Sequence, residues 1–147
     1  RGKQCVKDVQ ISLHNNWQKL HWRAIKASYN SAPFFEYYED DFAPFYEKKY
    51  QFLLDFNMDL FRLITILLGV ETNLNLTENY IDYHENDFRE IIHPKKSSYI
   101  DKTFADYSYY QVFSQKNGFI PNLSIIDLLF NMGNESRIVL KNTFIER

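Results

Sequence analysis

The sequence has a single cysteine and only four glycines, and both shortages exclude classes of structure. Cys5 cannot form an internal disulfide, and nothing else in the chain indicates an oxidising compartment, so we expect a cytoplasmic protein. The glycines form no GxGxxG or GxxxxGK[ST] pattern, and a GxSxG motif is also absent. A glycine loop that cradles phosphate and a nucleophile elbow are therefore excluded within this chain.

Long apolar runs and an excess of one charge are missing too. The most apolar stretch, Leu60 to Val70, is interrupted by Arg62 and is far shorter than the roughly 20 residues that cross a bilayer. The net charge of −2 and the pI of about 6.1 create no field that attracts nucleic-acid phosphates. We therefore expect neither a membrane span nor a nucleic-acid partner.

The spacings that bind metals are also absent. The four histidines show no HxxxH or HExxH spacing, and HENDF at 84–88 lacks the second histidine of a zinc-protease motif. Glu85, Asp87 and Glu90 leave a hard cation open as an alternative, although solvated loop carboxylates are the more common arrangement. The sequence favours no metal site and identifies no cofactor.

Aromatic residues, in contrast, are abundant: 13 Phe, 11 Tyr and two Trp make up 18% of the chain. In residues 34–42 they recur at steps of three and four, so Phe35, Tyr38 and Phe42 share one helix face. Such a stripe predicts a packed interior. The alternative is a self-association surface, which would make a homo-oligomer, or a ligand shelf; either would expose some of Tyr37, Tyr46 and Tyr50.

Periodicity predicts several helices. The first begins near Trp17, with Asn15 or Asn16 as its cap, and its expected apolar face is Trp17, Leu20, His21, Ala24, Ile25 and Ser28. Pro33 opens a second helix, Pro44 restarts the pattern, and a further helix from Met58 to Leu68 ends at Gly69. The last helix runs from 125 to about 132, where Ser124 and Asp127 fit a capping box and Gly133 fits a C-terminal cap.

Three short strands complete the prediction. Apolar residues alternate with polar ones from Val9 to Leu13, and Thr72 to Leu76 and Tyr109 to Phe113 give two further strands. The predicted fold class is α+β and predominantly helical, in a single domain spanning residues 1–147. The chain has no initiator methionine, and we expect it to be the rear part of a larger α/β protein.

The segment 87–99 mixes acidic, basic and hydroxyl groups in a predicted loop, where functional groups often gather. The Arg89 guanidinium can donate two parallel hydrogen bonds to a carboxylate or phosphate. Pro94, after His93, restricts the backbone and so orients Lys95. The start of the last helix at Ser124 offers N–H groups to the same anion. The alternative is that Asp87 and Arg89 only pair with each other.

His21 and Arg23 form a second polar group on the first helix. His21 lies on its apolar face, where a hydrogen-bonded core histidine is more common than a catalytic one. Arg23 points away from it, and Trp22 and Arg23 are candidates to frame a cleft with a neighbouring element.

Five segments resemble the bacterial WbqC-like protein family. They are NWQKLHWRAIKASYNSAPFFEYYEDDFAPFY, LLDFNMDLFRLI, DFREIIHPKK, YYQVF and GFIPNLSIIDLLFNMG, and they follow in order along nearly the whole chain. Family members typically begin with a segment like MQPYFLPYIGYF followed by strands, which this chain lacks. The family motifs emphasise His21, Arg23, Asp87, Arg89, His93, Lys95, Tyr110, Gln111, Asn122 and Asp127.

The resemblance implies a cytoplasmic protein of bacterial surface polysaccharide (O-antigen or capsule) biosynthesis. The first hypothesis is a transferase or ligase acting on a nucleotide-activated sugar or its acyl or amino donor. In it His93 or His21 serves as the catalytic base, and the substrate-binding residues are Arg89, Lys95, Asp87, Arg23, Asn122 and Ser124. The second hypothesis is a non-catalytic scaffold that binds glycosyltransferases through its aromatic helices.

Overall fold

The computed structural model describes residues 4–12, 14–85, 87–89 and 104–145, and helices dominate these residues. The prediction of a predominantly helical protein is confirmed. The α-helices are α1 (Trp17–Tyr29), α2 (Phe35–Glu47), α3 (Leu53–Leu67), α4 (Ser114–Asn117), α5 (Ile125–Met132) and α6 (Ser136–Thr143). Single turns of 3₁₀-helix occupy Val6–Asp8, His14–Asn16 and Gly133–Glu135.

The core is built around Phe130 on α5, which is completely buried. Its ring meets those of Tyr29, Phe35 and Phe42 edge to face, with centroids 5.1 to 5.3 Å apart. This geometry brings the positive edge of one ring to the negative face of the next. The prediction that the aromatic stripe of α2 is interior is confirmed for Phe35 and Phe42, which are 1% and 2% exposed.

Helix α5 lies against the start of α2 because the backbone joins the two. The Phe34 N–H donates to the Phe130 carbonyl at 2.9 Å. Both ends of α5 carry the expected kind of boundary: Ser124 occupies the N-cap position, and Gly133 follows the helix with a φ of 53°. The predicted bounds of this helix are therefore confirmed.

The predicted face of α1 is wrong for several residues. Leu20 is 57% exposed, and Ala24 and Ser28 also face solvent. Trp22 and Tyr29 instead pack against the core cluster, together with Ile25. The two large rings bury more apolar surface than leucine and alanine do, so they determine how the helix is rotated.

The predicted restart at Pro44 is also wrong. Helix α2 continues through Pro44 to Glu47, and Lys48 turns extended with its N–H bonded to the Pro44 carbonyl at 2.9 Å. Pro44 lies in the last turn, so the missing N–H removes only one bond near the helix end. Gly69, with a φ of 62°, follows the end of α3 as predicted.

The three predicted strands are not formed as strands. Of the first predicted strand, residues 9–12 form only an isolated bridge at Gln10, and residue 13 lies outside the described residues. Residues 72–76 are irregular and exposed, and 109–113 ends in a turn. Among the described residues only isolated bridges occur, between Gln10 and Phe52 and between Phe104 and Phe144. Alternation predicts which side chains can be buried, but a strand also needs a partner backbone along its length, and the described residues supply only these single bridges.

Candidate functional site

A groove of about 610 Å³ opens between the segment before α1, α1 itself, the end of α2 and α3. We call it the His21 groove. Six apolar or aromatic residues form its walls: Ile11, Trp17, Tyr46, Leu53, Phe56 and Leu60. Five polar residues complete the lining: Gln10, Ser12, His14, Asn15 and His21. Apolar walls with a few converging polar groups are typical of a small-molecule site.

Two backbone hydrogen bonds position the segment before α1. The Ile11 N–H donates to the Gln51 carbonyl, and the Leu53 N–H donates to the Val9 carbonyl, each at 2.9 Å. They hold Gln10 opposite Phe52 as an isolated antiparallel bridge. The groove therefore exists because two segments some forty residues apart are joined just before α3 begins.

The side chain of Gln18 fixes the other side of the groove. Its Nε2 donates to the carbonyl of Phe45 at 3.1 Å and to that of Lys48 at 2.6 Å. These carbonyls lie at the end of α2, where helical partners run out. The bonds hold α1 beside the helix that carries Tyr46.

Trp17 and His21 lie one turn apart on α1 and are in contact. Their ring centroids are 5.2 Å apart with an interplanar angle of 70°, and Phe56 meets the Trp17 ring at 5.9 Å and 81°. Within the described residues the Trp17 indole N–H is the one buried side-chain polar atom without a hydrogen-bond partner. A buried donor without an acceptor costs about 1–3 kcal/mol.

The turn at the rim of the groove is backbone-strained. Asn15 and Asn16 both have positive φ, 68° and 52°. Asparagine tolerates this left-handed region better than most residues. Asn16 occupies the N-cap position of α1 but makes no side-chain cap bond, so the predicted capping interaction is absent. Strained backbone beside a groove is a recurrent feature of functional sites.

Of the candidate residues on α1, His21 lines the groove and is exposed. Arg23 is exposed, and at two helical steps from His21 it lies on the far side of α1. Trp22 does not frame a cleft, because its ring stacks on Tyr46 with centroids 5.2 Å apart and an angle of 18°. The groove thus lies next to His21 rather than next to Trp22 and Arg23.

Asp87 and Arg89 pair with each other. Arg89 Nε donates to both oxygens of Asp87, at 2.8 and 2.9 Å, and Nη2 donates to the Ile81 carbonyl at 2.8 Å. The guanidinium also lies 4.9 Å from the centre of the Tyr80 ring. The hydrogen bonds from Arg89 hold the pKa of Asp87 at about 2. The alternative in which the two residues pair is the arrangement observed.

The other predicted binding residues either make no hydrogen bond with Arg89 or lie outside the described residues. His93 and Lys95 lie outside the described residues. Asn122 is exposed with a φ of 56°, and Ser124 is exposed at the N-cap of α5. Within the described part of the chain, no hydrogen bond joins Arg89 to Asn122 or Ser124.

The predicted capping box at α5 is replaced by a backbone bond. The Asp127 N–H donates to the Ser124 carbonyl at 2.8 Å, and the Ser124 side chain makes no cap bond. The Asp127 carboxylate, 4% exposed, instead accepts from the Tyr109 hydroxyl at 2.7 Å and from Gln111 Nε2 at 3.3 Å. The Asp127 side chain points into the interior, where the Tyr109 hydroxyl and the Gln111 amide donate hydrogen bonds to it.

A buried polar cluster extends from this carboxylate. Gln111 also exchanges two bonds with the Ile120 backbone, at 2.8 and 2.9 Å. Asn131 donates to the Asp127 carbonyl and accepts from the Val112 N–H. Burial raises the pKa of Tyr109 to about 12, and the bond to Asp127 adds to it while Gln111 opposes it. Every named member has a partner, so the cluster acts to join the 109–112 segment to α5.

Sequence reasoning missed Trp17 and His14 as groove residues and Tyr109 and Asn131 as members of the cluster. Trp17 stood on the predicted face of α1 with His21, so the i, i+4 spacing was the available signal. No pattern in the neighbouring sequence predicts that Tyr109 is bonded in the interior, since its acceptor, Asp127, lies 18 residues further along the chain.

Two negative findings concern the part of the chain that the structure describes. It contains no group of three or more His, Cys, Asp or Glu side chains placed to hold a metal ion. Nor does any helix there have the length and apolar character needed to cross a membrane.

Comparison with known proteins adds a family. The model of the WbqC-like protein family matches residues 1–97 and 89–139. The uncharacterized protein Rv1507c of Mycobacterium tuberculosis (strain ATCC 25618 / H37Rv) is 32% identical over 163 residues, which covers 92% of this chain and 69% of that protein. No solved structure matches the chain significantly.

Proposed function

The chain belongs to the WbqC-like protein family, and from that premise we propose that it is a cytoplasmic transferase of bacterial surface polysaccharide assembly, with its reacting centre at the His21 groove. The donor is a nucleotide-activated sugar or an acyl or amino donor for such a sugar. The resemblance to the WbqC-like family supports a role in surface polysaccharide assembly. The lining of the groove supports the position of the reacting centre.

The observation that carries the proposal is the position of His21. Its imidazole lies on a groove with apolar walls and uncharged polar groups, in contact with Trp17. Imidazole exchanges protons readily near neutral pH, so it is the usual base in such sites. A group that can take a proton, beside a space that can hold two reactants, is the minimum that a transferase requires.

The step assigned to His21 is a proton transfer. The hydroxyl or amine of the acceptor attacks the activated carbon of the donor, forming a new C–O or C–N bond. The bond from that carbon to its leaving group breaks, and the leaving group departs with the electron pair. His21 takes the proton that the acceptor loses. His14, on the same rim, is placed to assist.

The anionic part of the donor is assigned to the segment around Arg89, with Lys95, Arg23, Asn122 and Ser124 as the further candidates, and His93 is kept as the alternative base. Because Asp87 accepts hydrogen bonds from both Nε and Nη2 of the Arg89 guanidinium, a phosphate or carboxylate that binds Arg89 has to compete with Asp87. This competition makes Arg89 a weak anion site unless Asp87 moves.

A groove-blocking variant tests the proposal. Ser12 is exposed and lines the groove, whereas Ser28 is exposed on α1 and does not line it. We expect Ser12→Trp to abolish the thermal stabilisation of the protein by UDP-N-acetylglucosamine or an acyl donor, and Ser28→Trp to preserve it. Equal stabilisation of both variants by every donor would remove the groove from the proposal.

His21→Gln tests the catalytic role. Glutamine preserves hydrogen bonding but cannot act as a base, so we expect donor affinity to change little and donor turnover to fall by about 10²–10⁴-fold. Equal turnover in the variant and the wild type would show that His21 is not the base.

Tyr37 favours a second candidate, a non-catalytic scaffold for glycosyltransferases. It is 77% exposed, as that hypothesis requires, but Tyr50 is 9% exposed and Tyr46 is half-buried, with Trp22 stacked on its ring. Retention of a glycosyltransferase that is lost in Tyr37→Ala and preserved in Ser12→Trp would favour the scaffold over the transferase.

A further inference from the structure

We infer that the His21 groove receives an uncharged glycosyl group, an N-acylated amino sugar, and leaves the phosphates of a sugar-nucleotide donor outside. This inference rests on the proposed function and narrows it, because it assigns one part of the donor to the groove. It follows from three properties of the lining: its charge, the geometry of its rings and its combination of apolar walls with a few polar groups.

Among the residues that the structure describes, the lining contains no Lys, Arg, Asp or Glu. A pyrophosphate placed in the groove would lose water without meeting a fixed positive charge, which is strongly unfavourable. Of the described lining residues, only His14 and His21 have side chains that can carry a positive charge. The groove therefore selects an uncharged group.

The rings do not provide a slot for a nucleobase. Trp17 meets His21 and Phe56 at 70° and 81°, so neither ring lies parallel to the indole. A base that binds by stacking between two planes needs a parallel pair. The Trp17 ring therefore stands steeply to both of the rings that contact it, an arrangement that suits a ligand that is not planar.

A sugar ring matches the two sides of the lining. Its C–H faces can lie on the apolar walls that include Trp17 and Leu60, while its hydroxyls meet Gln10 and Asn15. A simple acyl chain would make no hydrogen bonds with those polar groups, which are exposed and would stay with water. An N-acyl substituent adds a methyl group for the walls and an amide for the polar side. The volume of about 610 Å³ is within the roughly 300–1,000 Å³ of small-molecule sites and leaves room for an acceptor.

The chain contains a built-in reporter, since it has only two tryptophans. Trp17 lines the groove and its indole N–H has no hydrogen-bond partner. Trp22 stacks on Tyr46 and packs against the core. Their two isotope-labelled indole N–H signals can be followed by NMR in the wild-type protein, and Trp17→Phe serves only to assign them.

The experiment titrates three probes: the methyl glycoside of N-acetylglucosamine, UDP, and UDP-N-acetylglucosamine. We expect the glycoside and the complete donor to shift the Trp17 signal and leave the Trp22 signal in place. UDP alone is expected to leave both in place and to bind at least about tenfold more weakly than the complete donor. The Trp17 response should disappear in Ser12→Trp and persist in Ser28→Trp.

Two other results overturn the inference in different ways. If UDP alone shifts the Trp17 signal and the glycoside competes with it, the groove holds the nucleotide, so the inference fails while the proposed ligand site stands. If none of the probes shifts the Trp17 signal and acyl donors also fail to stabilise the protein, the proposed function fails together with the inference.

Discussion

The Tyr109 hydroxyl donates a hydrogen bond of 2.7 Å to Oδ2 of Asp127, and the carboxylate that receives it is only 4% exposed. A buried carboxylate depends on such donors, because it has lost most of its water. The bond also joins the irregular segment before α4 to the central helix of the core. Tyr109 is therefore expected to stabilise the fold well beyond the area that it buries.

Tyr109→Phe should lower the free energy of unfolding by about 1.5–3 kcal/mol, since a hydrogen bond to a charged group is lost and the acceptor stays buried. Urea-induced unfolding measures the change. Tyr110→Phe is the matched control: its side chain is 52% exposed, and we expect a change within about 0.5 kcal/mol. Equal effects of the two substitutions would contradict the assigned role.

Stability should also fall at alkaline pH. Burial raises the pKa of Tyr109 from 10.0 to about 12. A tyrosine whose folded-state pKa lies above its unfolded value contributes stability that is complete below about pH 10 and is lost as the pH rises toward 12. Burial and Asp127 raise the pKa of Tyr29 in the same direction.

Unfolding in urea at a series of alkaline pH values measures this loss, with phenolate absorbance as a second signal. The decline above pH 10 should be shallower in Tyr109→Phe than in the wild type, because one titrating group is gone. Parallel declines would show that Tyr109 titrates alike in the folded and unfolded states.

Local signals in the sequence predict the ends of helices, whereas contacts between distant residues leave no such signal. Helix α5 was predictable because its boundary residues, Ser124 and Gly133, lie beside it in sequence. The inward turn of Asp127 was not, because its donors come from residues 109 and 111. From the local sequence alone, a carboxylate in the first turn of a helix is expected to bond to the helix N-terminus. In Asp127 the hydrogen bonds to residues distant in sequence replace that interaction.

The groove illustrates the same limit. The spacing on α1 placed Trp17 and His21 on one face, which holds in the structure. The opposite wall comes from α3, and it is brought there by the bridge between Gln10 and Phe52. Hydrophobic periodicity in the sequence cannot predict this pairing, since a single bridge requires no repeating pattern of apolar residues.

Gly133 gives a test of packing at the end of α5. Its φ is 53°, and a Cβ added there would lie 2.5 Å from Cδ1 of Phe34. Gly133→Ala should therefore be destabilising by ~2–4 kcal/mol, from the left-handed backbone together with the clash against the ring.

Gly118 is the matched control for that substitution. Its φ is 71°, but a Cβ added there meets nothing within 4 Å. Gly118→Ala should lower the free energy of unfolding by about 1–2 kcal/mol in the same urea experiment, which is the cost of the left-handed backbone without a clash. If the two alanine variants unfold alike, Phe34 moves aside and the contact with Gly133 is not a tight one.

The ion pair of Asp87 and Arg89 gives a prediction that bears on the anion site. Hydrogen bonds from Arg89 lower the pKa of Asp87 from 3.8 to about 2. In Arg89→Ala that pKa should return to the ordinary range of an aspartate, because the donor groups are lost. The carboxyl chemical shift of Asp87, followed by NMR as the pH is lowered, measures both values.

Arg62→Ala is the control for this titration, since Arg62 pairs with Asp59 on α3 and the Asp87 titration should be unchanged. Inorganic pyrophosphate added to the wild type provides the decisive comparison. If it binds Arg89, it displaces Asp87, whose pKa must then rise toward the value found in Arg89→Ala. An Asp87 titration that pyrophosphate leaves unchanged would mean that the guanidinium stays with Asp87, and Arg89 would then have to be removed from the proposed anion-binding residues.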